Sequence, residues 1–307
     1  MDVLADVLSA MRTGHPVSAH TEGRAPWGLR YLRPAATAFH MVLHGTCWLV
    51  RPEAPPLALS PGDVILLRNV GPHTLADDPA STPVDFTPDA VDDSPRISRL
   101  RLPGPGAETA LLCGAYLLEQ QRAHPLLESL PPVVYLPTRA GRHHVLHATV
   151  NLLAEEVDVQ GPGASAVVSA LVDALLIHIL RAWLAEQPSG WAAALTDPAI
   201  GKALAKMHTD PALPWTVEGL GSEVGLSRAV FARRFHMLVG EPPLTYLTRW
   251  RMTTAARALR ESNAPLKAVS RQIGYNSEYA FAKAFKRDYG VAPGRYRRTA
   301  RLAGSPN

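Results

Sequence analysis

Basic side chains recur on two helix-like patterns near the C-terminus of this 307-residue chain. Each pattern begins with a serine, Ser227 or Ser277, and continues with two phenylalanines at i, i+4 spacing. Serine is a favourable helix N-cap, and an i, i+4 aromatic pair marks the buried face of a helix. The other faces carry arginine and lysine, which bind phosphates and base edges of nucleic acids. These basic residues are Arg228, Arg233 and Arg234 in the first pattern, and Lys283, Lys286 and Arg287 in the second.

Each basic helix follows a shorter apolar helix pattern and a glycine. A short helix, a sharp turn and a second helix that presents its N-terminal residues to base edges form a helix-turn-helix unit. The first unit is predicted over residues 217–238 with Gly225 at its turn, and the second over residues 266–289 with Gly274 at its turn. A long helix over residues 244–260 is predicted to act as a rigid spacer, which would place the two reading helices about 34 Å apart in successive major-groove turns.

The charge distribution supports a polyanionic partner for the C-terminal part alone. From Ala193 onward the chain carries 18 Lys and Arg against 8 Asp and Glu, which leaves 13 basic and 19 acidic residues for the rest. A basic module joined to an acidic one is typical of a protein whose basic part binds nucleic acid.

The C-terminal pattern resembles the DNA-binding domain of the AraC/XylS family over residues 217–298. The densest match is Ile273-Gly274-Tyr275 followed by Ser277, Phe281, Phe285-Lys286, Gly290, Pro293 and Tyr296-Arg297. The resemblance implies transcriptional control by a protein that uses both units. It also implies base contacts by Arg233, Glu278, Tyr279 and Lys283. Phosphate contacts are expected from Arg228, Arg234, Lys286 and Arg287.

Two positions depart from the family pattern. Gly221 stands where the family usually has alanine, and a glycine inside a helix is expected to reduce stability. Ala229 stands where some members place a large residue that contacts bases, so the first reading helix is expected to make fewer contacts there.

The N-terminal part has the pattern of short strands broken by turns. Residues 37–43 and 46–51 flank His44-Gly45, residues 63–67 follow Ser60-Pro61-Gly62, and strand character returns at residues 109–117. Closely spaced short strands predict a small β-sandwich or barrel. Residues 76–96 are acidic and rich in proline, which predicts a mobile loop.

Helical periodicity begins after Gly141 and predicts helices over residues 145–157 and 164–185. The second helix has an apolar stripe that could be intramolecular core or a dimer seam: Val168, Leu171, Leu175, Ile179 and Ala182. The expected fold is therefore α+β in two domains. A β-jelly-roll of the cupin type with a helical dimerisation segment (about 142–186) occupies residues 1–186. A linker (187–196) leads to an all-α domain with two helix-turn-helix units (197–307).

The segment from His40 to Gly45, with Pro61-Gly62-Asp63-Val64 and Gly71-Pro72-His73, resembles a cupin jelly roll. It is similar to the sensor of an AraC-type subgroup that includes a reactive-chlorine-responsive regulator, and the resemblance covers about residues 1–132. It implies a pocket for a small effector or a metal.

Cys113 matches a cysteine of that subgroup, and His20 stands where the subgroup can carry an earlier cysteine before a tryptophan, here Trp27. With His40 and His73 these residues would make a His₃Cys set of the kind zinc accepts. The open alternative is that His40 and His73 are hydrogen-bonded core residues. Oxidation of Cys113 is a further possible signal.

Three classes of function follow from these expectations. The first is a DNA-binding transcription factor, an activator by family analogy. It is expected to form a homodimer, to contact RNA polymerase and to sense a small effector, an oxidant or a metal. The second is a cupin enzyme with a DNA-binding tail, which the absence of an HxH…E arrangement between His40 and His73 disfavours. The third is an architectural DNA-binding protein, which the N-terminal module disfavours.

A cytoplasmic protein without a membrane span is expected. Asp2 and Asp6 occupy the N-terminus without a basic region, and the two cysteines do not form a disulfide framework. The apolar stretch over residues 164–184 is interrupted by Asp173, His178 and Arg181, which favours a buried or dimer-forming helix over a membrane helix.

Overall fold

The computed structural model describes residues 2–14, 16–32, 37–86, 97–119, 122–138, 143–159 and 161–303. The chain forms two compact units, one helical and one built on strands. The helical unit comprises Met1–Thr13, Glu119–Ser129 and Leu184–Asn307, and the β unit comprises Gly14–Leu118 and Leu130–Trp183. Two short segments from the N-terminal part of the sequence therefore belong to the helical unit.

The β unit is a two-sheet sandwich, which confirms the predicted cupin-type jelly roll. Its strands are β1 (Val17–Arg24), β2 (Gly28–Tyr31), β3 (Thr37–His44), β4 (Cys47–Arg51), β5 (Ala54–Leu59), β6 (Val64–Arg68), β7 (His73–Ala76), β8 (Val84–Phe86), β9 (Ile97–Leu102), β10 (Glu108–Ala115) and β11 (Val133–Leu136). The spatial order is β11-β6-β3-β10-β1-β9 in one sheet and β5-β4-β7-β2-β8 in the other. Apolar side chains from both sheets meet in one core, including Leu49 and Leu75 from one sheet and Ile65 and Leu111 from the other.

Part of the predicted loop at residues 76–96 is ordered. The strand β8 lies within it and pairs in parallel with β2 at the edge of the sheet. The acidic, proline-rich composition of this stretch did not predict that strand. Residues 87–96 lie outside the described part of the chain.

Two helices of the β unit, α3 (His144–Val159) and α4 (Ala164–Ala185), match the predicted helices in place. Thr149 Oγ1 lies 2.7 Å from His178 Nδ1, and the Tyr116 hydroxyl donates to the Val172 carbonyl at 3.0 Å. Among the described helices α4 alone is long and apolar enough to cross a membrane. Its predicted apolar stripe is largely buried within the chain, at Val168, Leu175, Ile179 and Ala182. Those four side chains are therefore intramolecular core and do not form a dimer seam.

The helical unit carries the two predicted helix-turn-helix units in its C-terminal part. Its helices are α1 (Val3–Met11), α2 (Pro125–Glu128), α5 (Trp191–Thr196), α6 (Pro198–Thr209), α7 (Val217–Glu223), α8 (Arg228–Val239), α9 (Pro243–Glu261), α10 (Leu266–Gln272), α11 (Glu278–Tyr289) and α12 (Pro293–Ala303). The predicted linker at residues 187–196 contains α5, and Trp191 at its start is buried. Asp197 caps α6 by accepting hydrogen bonds from the Ala199 and Ile200 amides.

Candidate nucleic-acid interface and buried polar core

The first helix-turn-helix unit consists of α7 and α8. Thr216 caps α7 by accepting from the Gly219 amide at 2.9 Å, and Ser227 caps α8 by accepting from the Val230 amide at 3.4 Å. Gly225 forms the turn with φ +73°, a conformation that glycine adopts without steric cost. Phe231 and Phe235 are fully buried, which turns the opposite face of α8 to the outside.

The second unit, α10 and α11, repeats this arrangement. Ser277 accepts from the Ala280 amide at 3.3 Å, and Gly274 forms the turn with φ +80°. The ring centroids of the buried pair Phe281–Phe285 are 5.7 Å apart, the same distance as for Phe231–Phe235. The two reading helices are therefore built alike, as the serine and phenylalanine spacing predicts.

The four residues expected to contact bases all lie on exposed helix surface. Arg233 is exposed on α8, and Glu278, Tyr279 and Lys283 are exposed on α11. Tyr279 is 79% exposed, which is unusual for a large aromatic side chain. Glu278 and Tyr279 lie at the N-terminal end of α11, where a reading helix meets base edges, and Arg233 lies in the middle of α8.

Three of the four expected phosphate contacts, Arg228, Lys286 and Arg287, are also exposed. The fourth, Arg234, is half-buried and donates from Nε to Asp197 Oδ2 at 2.8 Å. This ion pair ties α8 to the N-terminus of α6. Desolvation raises the pKa of Asp197, but the amides at that helix end and the ion pair together lower it below its usual value. The structure thus gives Arg234 an internal partner that the sequence did not indicate.

The spacer helix α9 holds the loop that leads into the first unit. Arg251 donates to the carbonyls of Pro211 and Leu213 at 2.6 and 2.8 Å. Gly274, at the turn of the second unit, lies against Ala212 in the same loop, where a Cβ atom would be 2.5 Å from the Ala212 carbonyl oxygen. The two helix-turn-helix units therefore touch through this loop as well as through α9.

In the β unit, His40 and His73 face each other across the two sheets. His40 Nε2 lies 2.9 Å from His73 Nε2, and Tyr31 stacks on the His73 ring at 4.9 Å between centroids. Tyr31 contacts His40 as well, at 5.0 Å. All three side chains are buried. The sequence did not single out Tyr31, although it pairs directly with His73 between β2 and β7.

The hydrogen bonds of this group fix its tautomers. His73 Nδ1 donates to the Gly71 carbonyl at 3.4 Å, because a carbonyl can only accept. His73 Nε2 is then an acceptor, and His40 Nε2 donates to it. His40 Nδ1 is left with a lone pair and has no hydrogen-bond partner in the described structure.

Burial keeps these groups uncharged near neutral pH. Desolvation lowers the pKa of His73 to about 4, and it lowers the pKa of His40 well below its usual range with a further contribution from His73. Desolvation also raises the pKa of the Cys113 thiol to about 12, against hydrogen bonds from Tyr31 and Thr21 that lower it. Cys113 is therefore a protonated thiol and a poor nucleophile in this state.

The four residues of the expected zinc site do not converge. Cys113 lies opposite His40 on β3 and opposite Ala19 on β1, so these residues share the inner face of their sheet. His20 follows Ala19 and points to the other face, where its Nδ1 lies 3.6 Å from Glu22 Oε1. Across the described ranges, no three or more His, Cys, Asp and Glu side chains are arranged to hold a metal ion. The expected His₃Cys set does not fit this geometry.

Neither α1 nor the segment Glu119–Ser129 of the helical unit was predicted from the sequence. The helix α1 carries the ordinary signals of a helix, since Asp2 accepts from the Leu4 and Ala5 amides and apolar residues follow at helical spacing. The segment Glu119–Ser129 carries one local helix signal, Pro125 after the capping residue His124, but its polar partners lie far away in the chain, at Tyr246, Arg260 and Tyr296.

Comparisons with known proteins cover both parts of the chain. A cupin family model matches residues 2–185, and a helix-turn-helix domain model matches residues 220–299. A putative AraC-like transcription regulator of Streptomyces lividans is 36% identical over 97% of this chain and 98% of its own length. The RCS-specific HTH-type transcriptional activator RclR of Escherichia coli is 28% identical over 86% of this chain and 84% of its own. The solved DNA-binding domain of AdpA in complex with a target DNA is 30% identical over 35% of this chain and 96% of its own, with a TM-score of 0.33.

Proposed function

Because this chain belongs to the AraC-like transcription regulators, with a cupin domain and an AraC-type DNA-binding domain, we propose that it binds promoter DNA through both reading helices and activates transcription in response to a signal received in the β unit. The observation that carries the proposal is the repeated geometry of α8 and α11. Each has a serine cap, a buried phenylalanine pair and an exposed face with basic residues. The relatives that match most of the length of this chain are named as regulators of transcription.

The exposed residues of the two reading helices have two proposed roles, base recognition and phosphate binding. Arg233 and Lys283 bind base edges in the major groove, Glu278 accepts from a cytosine amine, and Tyr279 packs against a base. Arg228, Lys286 and Arg287 neutralise phosphates and set the register without reading sequence. Arg234 reaches a phosphate only if its ion pair with Asp197 opens, so we expect its contribution to be small.

The signal acts on the buried polar core, which we define as Tyr31, His40, His73 and Cys113. Two neutral imidazoles and a thiol in an apolar interior respond to an oxidant or to a small ligand that donates a hydrogen bond to His40 Nδ1. The name of the E. coli relative RclR, an RCS-specific activator, favours an oxidant and the positive sign of regulation. Zinc held by the full set His20, His40, His73 and Cys113 has no geometric support, and metal analysis of the purified chain tests that expectation independently.

A homodimer and contact with RNA polymerase complete the proposed mechanism in the cytoplasm. The helix α3 exposes Val145, Leu152 and Val159 at seven-residue spacing, which places them on one face. A second copy of this chain would cover that face and bring two DNA-binding units together on neighbouring sites.

The decisive experiment selects DNA with the full chain from a randomised duplex pool and measures affinity for the enriched sequence and for random competitor at about 0.15 M salt, where non-specific binding is weak. The expected result is an enriched site in which each copy of the chain covers two half-sites, one for each reading helix, with a preference over competitor of about 10³-fold or more. Absence of any enriched sequence would refute the proposed function. Repeating the measurement after hypochlorite treatment, with Cys113→Ala as the control, tests the signal.

A further inference from the structure

The segment Glu119–Ser129 is built into the helical unit, although it lies between two strands of the β unit in sequence. Its described residues, Glu119 and 122–129, include one short helix, α2, and four side chains that make polar contacts with the DNA-binding helices. These side chains are Glu119, Arg122, His124 and Glu128.

Glu119 joins the segment to the spacer helix and to α12. The Tyr296 hydroxyl donates to Glu119 Oε2 at 2.5 Å and accepts from Arg260 Nη1 at 2.7 Å, and the Arg260 guanidinium lies 3.4 Å from the same carboxylate oxygen. Arg260 also donates to the carbonyls of Ala10 and Arg12 at the end of α1. Glu119 and Arg260 are only 8% and 10% exposed, so removing one partner would leave a buried charge uncompensated.

His124 joins the segment to the first helix-turn-helix unit. Its Nδ1 accepts from the Leu126 amide, so its Nε2 carries the proton and donates to the Tyr246 hydroxyl at 3.1 Å. The Tyr246 hydroxyl in turn donates to His208 Nε2, since burial lowers the pKa of both histidines and keeps them neutral. The Tyr246 ring packs on Phe235, the buried residue of reading helix α8, at 5.8 Å.

Arg122 joins the segment to the second unit. Its Nη2 lies 3.5 Å from Asp288 Oδ2 near the C-terminal end of reading helix α11. Glu128 adds a weaker contact, 3.7 Å from Arg249 on α9. One segment of eleven residues therefore touches partners of both reading helices, while the exposed faces of α8 and α11 stay uncovered.

In the sequence, this segment follows shortly after β10. Glu119 is the fourth residue after the end of β10, the strand that carries Cys113, and its amide donates to the Met11 carbonyl at 2.7 Å. Four residues span at most about 14 Å. Because this connection is short, a shift in the register or twist of β10 would be transmitted to Glu119.

We propose that the segment Glu119–Ser129 is an intramolecular strut that fixes the two reading helices relative to each other, and that the β unit controls DNA affinity by moving this strut through β10. The proposal rests on the proposed function, because it specifies how the signal reaches the same DNA-binding helices. It identifies Arg122, His124 and Glu119 as positioning residues that act on DNA through α8, α9 and α11 and do not touch it themselves.

The test uses the full chain and the duplex that the wild type enriches from a randomised pool. Arg122→Glu breaks the contact with Asp288, and Arg122→Glu/Asp288→Arg restores it with the charges exchanged. The control is Arg24→Glu, which breaks a surface ion pair with Glu108 in the β unit. Affinity is measured on the two-half-site duplex and on a duplex in which one half-site is randomised.

The expected result for Arg122→Glu is about a tenfold loss on the two-half-site duplex, about threefold or less on the single half-site, and recovery in the double variant. A rigid connection between the reading helices raises affinity only when both half-sites are bound at once. Equal losses on both duplexes would indicate a general defect and overturn the proposal. Tighter binding would show that the segment restrains the helices in a non-binding arrangement, which also overturns it.

A second readout does not depend on DNA. Spin labels at Met237→Cys on α8 and Lys286→Cys on α11, both exposed, report the distance between the reading helices, while Cys47 and Cys113 are buried and label poorly. Arg122→Glu and Glu119→Gln should broaden the distance distribution, and Arg24→Glu should not. An unchanged distribution in both strut variants refutes the strut, whereas a wild type that enriches no sequence refutes the proposed function and leaves this distance test intact.

Discussion

Gly274 lies directly against Ala212, so the turn of the second helix-turn-helix unit contacts the loop that leads into the first. A Cβ atom on residue 274 would lie 2.5 Å from the Ala212 carbonyl oxygen and 2.9 Å from its Cα. Real side chains do not approach backbone this closely, so the contact requires glycine for reasons of space as well as of its φ angle of +80°.

Gly274→Ala is therefore expected to disturb the placement of the two helix-turn-helix units relative to each other. Gly225→Ala is the matched control, because Gly225 has a similar φ of +73° and nothing within 4 Å of the added Cβ. Both variants carry the left-handed backbone penalty of about 1 kcal/mol, and Gly274→Ala should lose about 2 kcal/mol more in the free energy of unfolding. Denaturant titration measures both values. Equal losses would show that the loop yields without cost.

Gly221→Ala should destabilise the first unit, although alanine is the better helix former. A Cβ atom at residue 221 would lie 2.8 Å from the Leu226 carbonyl and 3.4 Å from Phe231 Cβ, where α7 packs on α8. The expected loss is about 1–2 kcal/mol from overpacking. Gly219→Ala, in the same helix, faces only the Thr216 hydroxyl at 3.1 Å and should change the free energy of unfolding by less. A more stable Gly221→Ala would contradict this account and support the cost first assigned to glycine at this position.

Arg233→Ala and Lys286→Ala should weaken DNA binding in different ways. Loss of a base contact by Arg233 is expected to cost about 1–3 kcal/mol and to relax the preference at one base pair. Loss of a phosphate contact by Lys286 should weaken binding equally for all sequences and reduce the slope of log K against log salt by about 0.9. Affinity for single-base variants of the enriched site, measured at three salt concentrations, separates the two roles. A uniform effect of Arg233→Ala would place that side chain on a phosphate.

The buried imidazoles should make stability depend on pH in the acidic range. The pKa of His73 is lowered from 6.5 to about 4, so between these values the unfolded chain binds a proton that the folded chain does not. Stability from this group is complete above about pH 6.5 and falls by up to about 3 kcal/mol as the pH drops towards 4, and His40 acts in the same direction. Urea unfolding at pH 7.5 and 4.5 measures the loss. The glutamine in His73→Gln cannot titrate, so this variant should lose less stability between the two pH values than the wild type. His124 and His208 contribute equally to the pH dependence of the wild type and of the variant. Identical pH dependence in the two chains would show that His73 is solvated in the folded protein.

Leu152→Glu should prevent self-association if the exposed face of α3 is the dimer contact. Leu152 is 51% exposed, so the substitution places a charge on the surface without disturbing the core. Val84→Glu on β8 is the control, since Val84 is 60% exposed and lies on a different element. Sedimentation velocity should show about half the wild-type mass for Leu152→Glu alone. A dimer that survives this change, or one that Val84→Glu also dissociates, would place the contact elsewhere.

The sequence alone determined the elements whose causes are local. Ser227 and Ser277 cap helices, Gly225 and Gly274 permit left-handed turns, and phenylalanine pairs at i, i+4 spacing define a buried face, so both helix-turn-helix units were predictable. Alternation and turn residues likewise predicted β3, β6 and β10 and the two-sheet fold. Asp2 followed by an apolar helical pattern carried the same kind of signal for α1, which was overlooked.

Only the tertiary structure decided which distant residues meet. His20 was grouped with Cys113 from a resemblance in spacing, but strand pairing places Cys113 opposite Ala19 and therefore turns His20 to the other face of the sheet. The contacts of Glu119 with Arg260 and of Gly274 with Ala212 join residues far apart in the chain. Capping and periodicity act over a few residues and can be recognised in the sequence, whereas strand register and helix packing depend on how all the elements fill one core.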